Sequence, residues 1–516
     1  LAVLGNTGSG KSCSVAGLIR WSLESAKAAA SDGQTLNARF IILDPNGEYS
    51  AAFSDFPEAH VFKVPPVDDN LKSLVVPAWM WNSHEWSIFA HAAPAVQRPI
   101  LLQALRDMRS GAILNEPLER RLSRILRSYQ TLLQGLIAQG VSGYTGFPQS
   151  GRCGTIMRNI EQDARTYLQD ASGLLREHLE KLATSSANTA QSRHWASRTS
   201  EASGYNDFSE TQLVEICNCI NGTLSAIPNS QEPSPISEDA PLPFDVAELP
   251  DHLEQIAANS GIAQSAQFIA TLAMRIRMML ADQRIGPVVR QDETISFDSW
   301  LVDYLGSDKT NKGHLAIVDL SLMPSDVLHT IVSVVARVVF EAVQRYRKLS
   351  GQELPTVLVL EEAHSFIHRG LDAESDIPTT AQLCRQTFER IAREGRKFGL
   401  GLVLSSQRPH ELSATVLAQC NTFLLHRIVN DRDQDLVARL VPDNLGGLLK
   451  ELPSLPSKQA ILLGWAAPIP VLVEMRELPE QERPRSADPK FWEVWTGEEK
   501  RLLDWRLVAD EWTGNR

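Results

Sequence analysis

Short apolar runs rich in β-branched residues recur along the chain, each bounded by Asp, Gly or polar residues. They cover residues 40–43, 60–64, 315–318, 356–360, 401–404, 422–425 and 460–463, and Leu1-Ala2-Val3-Leu4 opens the series. Continuous rather than alternating apolarity is the pattern of strands buried on both faces of a parallel sheet. Helical patterns lie between them at 13–25, 327–348 and 381–397. Strand alternating with helix predicts an α/β fold with a mainly parallel sheet. Between the 60–64 run and the 315–318 run the period changes. Residues 65–313 carry helical patterns at 98–108, 118–138, 157–182 and 263–281, no convincing strand, and two polar tracts, 184–209 and 228–250, that read as loops. The expected organisation is therefore a core in two parts, 1–64 and 314–478, an inserted helical region at 65–313, and a polar, Trp-bearing tail at 479–516 with helix near 492–508.

Composition narrows the class. The chain has 516 residues, 43% hydrophobic and 22% charged, ordinary values for a soluble globular protein with material for about three domains. No N-terminal segment has a signal-peptide layout, and the apolar runs read as too short or too interrupted to cross a membrane. Six cysteines without zinc-like spacing predict reduced thiols and a cytoplasmic protein. A net charge of −12 excludes a surface that is basic all over, but leaves room for a local basic field that binds nucleic acid. The chain starts without Met inside an apolar strand, so a fragment of a longer protein is expected.

The candidate chemistry begins at residues 5–12, Gly-Asn-Thr-Gly-Ser-Gly-Lys-Ser, which fit the phosphate-binding loop G-x-x-x-x-G-K-[ST] and lie between a strand and a helix. Backbone N–H groups of such a loop and the following helix N-terminus cradle phosphate, the lysine reaches the β- and γ-phosphates, and the serine hydroxyl ligates Mg²⁺. Gly5, Asn6, Thr7, Gly8, Ser9, Gly10, Lys11, Ser12 and Cys13 form the expected nucleotide-binding set, with Asp44 at the end of the second strand. Glu361 and Glu362 close the 356–360 strand. The first acid at such a strand end holds the metal shell and the second orients the attacking water. Gln407, at the end of the next strand, is placed to sense the γ-phosphate. Arg393 and Arg396 share a helix face, and either is a candidate arginine finger for a neighbouring subunit, with Arg427 a weaker alternative. Glu48 joins Asp44 as a candidate for ordering water or metal. Arg120, Arg124 and Arg127, with Arg121, Arg106 and Arg109 nearby, are candidates for contacting DNA phosphates.

The ordered strings Gly-Asn-Thr-Gly-Ser-Gly-Lys-Ser, Asp-Pro-Asn-Gly-Glu-Tyr, Glu-Glu-Ala-His, Arg-Glu-Gly-Arg-Lys-Phe-Gly, Ser-Gln-Arg-Pro, Gln-Cys-Asn-Thr, and Leu-Pro-Ser-Leu-Pro-Ser before Gln-Ala-Ile-Leu-Leu-Gly resemble HerA, of the HerA/FtsK branch of RecA-like P-loop ATPases. The resemblance covers residues 1–64 and 315–478. It implies a RecA-like core, ATP and Mg²⁺ as cofactors, a hexameric ring, and movement of double-stranded DNA with a nuclease or other effector subunit. The chain departs from the family pattern in having Glu361 where Asp is usual and Asn46 where His is usual, and the N-terminal β-barrel of the family is not in this sequence. Two functions follow as expectations. One is an ATP-driven translocase or helicase on double-stranded DNA, in DNA-end processing or antiphage defence. The other is an ATP-bound ring that assembles and activates a sirtuin-like NADase or nuclease without obligatory translocation.

Overall fold

A computed structural model describes residues 1–30, 36–56, 59–64, 71–111, 118–196, 203–227, 236–259, 265–290, 295–307, 315–370, 378–440, 449–485, 491–501 and 504–513. Its strands, in chain order, are β1 (Ala2–Leu4), β2 (Phe40–Asp44), β3 (Ala59–Lys63), β4 (Lys72–Ser73), β5 (His194–Ala196), β6 (Ser203–Tyr205), β7 (Leu315–Asp319), β8 (Thr356–Leu360), β9 (Leu400–Ser406), β10 (Thr422–Leu425), β11 (Gln459–Gly464) and β12 (Ala467–Glu474). Ten of them form one sheet in the order β12-β11-β10-β1-β9-β8-β2-β7-β3-β4. From β10 to β4 every neighbouring pair is parallel, while β11 runs antiparallel to both β10 and β12. The mainly parallel α/β sheet is as expected. The β12 strand and the two-residue β4 were not legible, because Pro468 and Pro470 interrupt the first and the second is too short to pattern.

The apolar runs become strands because both faces are covered. On one face, helix Lys11–Ala29 sets Val15, Ala16, Ile19 and Leu23 against Val3, Ile42, Ile317 and Val359. Helix Ser325–Ser350 buries Ile331, Val335, Val339 and Val343, an i, i+4 stripe, and packs along Thr380–Glu394. One expectation needs correcting here. Val327–Ser350 is long and apolar enough to cross a membrane by length and composition, with a mean hydropathy of 1.6. Its apolar window is 67% buried inside the fold, which makes it a core helix of this unit.

The chain divides into two compact units, Leu1–Leu105 with Glu238–Arg516, and Arg106–Ser237. The separately packed helical unit is thus narrower than the expected 65–313 insert. Segments on either side of it, including helices Ser83–Phe89 and Phe297–Leu305, belong to the sheet unit. The helical unit gathers helices Leu118–Ala138, Gln149–Tyr167, Gly173–Arg193 and Glu210–Ala226 around Leu126, Leu133, Met157, Leu179, Leu182 and Ile216. Of residues 184–209, expected as a loop, 184–193 continue the third helix and 194–196 pair antiparallel with 203–205, while 197–202 lie outside the described residues. The small residues that suggested a loop pack instead: Ala183, Ser186 and Ala190 are buried on one helical face. The 228–250 tract lies partly outside the described residues, and helix Leu249–Asn259 begins within it. In the tail, helices Phe491–Trp495 and Trp505–Trp512 carry exposed Trp492, Trp495 and Trp505.

Candidate active site

All the sequence-predicted nucleotide chemistry except the arginines sits at one edge of the sheet, where β1, β2, β8, β9 and β10 end. The fully buried β1 is flanked by β9 and β10, and the chain leaves between them. Gly5 N donates to Ser406 O at 3.2 Å on one side, and Asn6 N to Arg427 O at 2.9 Å on the other. Only glycine fits at position 5, since a Cβ there would stand 2.5 Å from the Cβ of His426. The loop closes on itself through Ser9, whose N and Oγ reach Asn6 O at 3.3 and 2.7 Å. Gly10, at φ 93°, ends the turn in the left-handed region and hands the chain to helix Lys11–Ala29. Lys11 therefore begins a helix, at its positive pole, and is 6% exposed. A buried ammonium needs anionic company. Glu362 Oε1 lies 4.0 Å from its Nζ.

Glu361 follows β8 and keeps the ladder through its N–H to Leu43 O at 3.1 Å. Its carboxyl is 1% exposed; Oε1 accepts from Ser12 Oγ at 3.3 Å and Oε2 from Tyr49 OH at 2.9 Å. Burial pushes its pKa up to about 7, against the pull of the Lys11 charge. Glu362 then adopts φ 43° and ψ 50°, a left-handed conformation that costs a non-glycine residue about 1–2 kcal/mol. That turn swings its carboxylate out of the sheet towards the phosphate loop. Burial would raise its pKa, but the His364 side chain and the Lys11 charge prevail and hold it below the usual range. His364 Nδ1 lies 3.2 Å from Glu362 Oε2.

Asp44 is placed differently from a nucleotide contact. It is fully buried, and its carboxylate accepts from the backbone N of Asn46, Gly47 and Tyr49 at 3.1, 3.0 and 2.8 Å. It thus shapes the turn that delivers Tyr49 to Glu361. Burial lifts its pKa to about 6. Glu48, on the same turn, has its carboxyl raised by burial while the Lys11 charge opposes the rise. Gln407 Oε1 accepts from the Thr7 hydroxyl, which joins the sensor candidate to the phosphate loop. Asn6 Oδ1 accepts from Val429 N at 3.1 Å, and Ser457 Oγ donates to Gly8 O at 3.3 Å. Cys13 follows Ser12 in the first helical turn, half-buried, with its thiol pKa raised by burial.

The arginines lie elsewhere. Arg393 and Arg396 are exposed and line a cleft of about 760 Å³ with Leu1, Val357, Leu400 and Thr422, residues at the starts of β1, β8, β9 and β10. The length of β9, roughly 20 Å at about 3.3 Å per residue, separates that edge from Gln407. Neither arginine reaches the phosphate loop of its own chain. Arg427 contributes its carbonyl to Asn6. In the helical unit Arg106 and Arg127 are exposed, but Arg109 is 4% exposed and so is not a surface cation; the side chains of Arg120, Arg121 and Arg124 lie outside the described residues.

The donor set suits Mg²⁺. Ser12 and Glu361 offer hard oxygens 3.3 Å apart, and Mg²⁺ is usually held by one or two such groups with phosphate oxygens and water. Among the described residues there is no cluster of three or more His, Cys, Asp or Glu that would hold a metal without a nucleotide. Sequence reasoning missed Tyr49, His364, His426 and Ser457. Tyr49 and His364 stood inside the quoted strings, but a string does not show where a side chain points.

Residues 1–212 match the family model described as the central domain of helicase HerA. The chain is 30% identical over 217 residues to the DNA double-strand break repair helicase HerA of Sulfolobus acidocaldarius, covering 41% of this chain and 41% of that protein. It is 40% identical over 131 residues to the probable helicase MJECL08 of Methanocaldococcus jannaschii, covering 25% of this chain and 23% of that one. The matches thus span less than half the length of these relatives. Among solved structures, the bacterial conjugative coupling protein TrwB aligns over 94% of this chain and 87% of its own at 15% identity and a TM-score of 0.43. VirB4 of Thermoanaerobacter pseudethanolicus aligns over 93% and 90% at 13% identity and a TM-score of 0.41. With the phosphate loop, the paired acids and the sensor strand assembled at one sheet edge, the chain has the core of a P-loop ATPase, and its residues 1–212 are similar to the central domain of helicase HerA.

Proposed function

We propose that the protein hydrolyses ATP with Mg²⁺ and couples the cycle to movement along double-stranded DNA as a cytoplasmic, ring-forming, hexameric translocase. The observation that carries this reading is the convergence of Lys11, Ser12, Glu361, Glu362 and Gln407 around the phosphate loop. Lys11 neutralises the β- and γ-phosphates, and Ser12 with Glu361 holds the metal. Glu362 orients the water, and Gln407 registers loss of the γ-phosphate through Thr7. Similarity to DNA double-strand break repair helicases supports DNA as the track. The exposure of Arg393 and Arg396 on the far edge supports their use in a neighbour's site, which a ring supplies. An effector subunit, a nuclease or a sirtuin-like NADase in antiphage defence, is the partner class this reading carries from the family resemblance.

The test is ATP hydrolysis by the full-length protein with and without linear double-stranded DNA, with Glu362→Gln as background. Stimulation of about tenfold or more by DNA, absent in the variant, is the expected result. Hydrolysis indifferent to DNA would remove translocation from the reading and leave an ATP-bound scaffold.

A further inference from the structure

Two groups compete for the carboxylate of Glu362. Lys11 Nζ stands 4.0 Å from Oε1, and His364 Nδ1 stands 3.2 Å from Oε2. Were Glu362 to collapse onto Lys11, one ion pair would take the cation from the phosphates and the carboxylate from its water. His364 is the group in a position to prevent this. It occupies the single helical turn Ala363–Ser365, set directly after the left-handed Glu362, and its side chain is 15% exposed. The same Nδ1 lies 3.2 Å from Ser406 Oγ, the last residue of β9. Ser406 is fully buried, and its Oγ also accepts from Arg408 N at 3.1 Å, across the sensor residue Gln407. An ionised Glu362 is met best by Nδ1 as an N–H donor, because a bare ring nitrogen would face the carboxylate lone pair to lone pair. In this geometry the aligned hydrogen bond of Nδ1 goes to Ser406 Oγ, and Glu362 Oε2 faces the same nitrogen at 3.2 Å as an ion-pair contact without a hydrogen bond of its own.

We propose that His364 is a positioning residue for hydrolysis: its Nδ1–H draws Glu362 away from Lys11 and ties the carboxylate to the sensor strand through Ser406. This rests on the reading of Glu362 as the group that orients water. The aim of that carboxylate is then set jointly by β8, which carries Glu362, and by β9, which carries Gln407. A displacement of the sensor strand would move the base with it.

The chemistry of the side chain supplies the test. Asparagine at this position presents an N–H donor near the place of Nδ1, glutamine presents one near Nε2, and alanine presents none. His364→Ala and His364→Gln are expected to lower kcat about ten- to a hundredfold with KM changed by no more than about threefold, and His364→Asn to recover most of the loss. Ser406→Ala, which keeps the Glu362 contact, is expected to lose only a few-fold. Binding of a fluorescent ATP analogue and thermal unfolding of each variant check the fold, and if the alanine variant does not fold the Asn and Gln pair decides. Equal losses in Asn and Gln, a KM effect without a kcat effect, or wild-type rates in all variants would overturn the proposal alone. A wild-type protein that binds ATP but never hydrolyses it would overturn the reading of Glu362 and this proposal together.

Discussion

The two units treat buried polarity in opposite ways. The sheet unit buries Lys11, Arg20, Arg39, Asp44, Glu85, Asp319, Glu361, His426 and Asp433. Among the described residues of the helical unit the buried polar groups are Ser150, Ser186 and Thr223, with Arg109 near its boundary, and no carboxylate. Taking a charge out of water costs several kcal/mol unless partners compensate, so a unit that does so repeatedly has a use for the field. The sheet unit gathers much of its buried charge at the strand ends around the phosphate loop. The helical unit is organised by apolar packing, and what it presents to a partner lies on its surface.

The largest expected effect tests whether the charge set of the sheet unit is complete within one chain. On the proposed reading one of the two exposed arginines acts in trans, so Arg393→Ala or Arg396→Ala is expected to lower kcat by about 10³ while ATP affinity holds. Mixing that variant with Lys11→Ala restores part of the rate, because a mixed ring contains interfaces with both an intact loop and an intact arginine. Full activity in both single variants would leave the near edge sufficient by itself.

The next prediction addresses the helical unit. Leu179 is fully buried in its core, and Leu179→Ala costs roughly 3–4 kcal/mol through lost contact and the cavity left behind. Limited proteolysis should show cuts within 106–237 at lower denaturant, with nucleotide affinity unchanged. Loss of ATP binding in step with those cuts would break the separation of roles.

The smallest effect concerns pH. The pKa of Asp44 in the fold, about 6, lies above its ordinary 3.8 because burial disfavours the charged form. The fold therefore favours the protonated acid. Its contribution is fully present below the ordinary value and is lost as pH rises through about 6. Relative to Asp44→Asn, the wild type should lose up to about 3 kcal/mol of stability between pH 4 and 7 and then level off. Thermal unfolding of both proteins across that range measures the slope, and parallel curves would mean that the three backbone N–H bonds hold Asp44 at an ordinary pKa.

Part of this molecule was legible in order along the chain. Unbroken apolar runs such as 356–360 and 315–318, short and bounded by polar residues, have the pattern of strands covered on both faces, so the parallel sheet was legible from local pattern. The phosphate loop was equally plain, because its chemistry is carried by backbone geometry over eight consecutive residues. Where small residues are involved, local pattern misled. The stretch around Ser186 and Ala190 looks like a loop until the burial of these small residues on one helical face shows close packing.

What the tertiary structure alone decided is direction. Strand order brought Leu4, Leu43, Leu360 and Ser406 to a common edge, and so set Ser12 beside Glu361 across 349 residues of chain. It made Tyr49 a partner of Glu361, made Asp44 a support for the turn, and put His364 between Glu362 and Ser406. It also put Arg393 and Arg396 at the opposite edge, out of reach of their own phosphate loop. Residue type and local period determined which groups were present and which segments were buried. Where each group points depends on non-local strand pairing, which no short window of sequence contains.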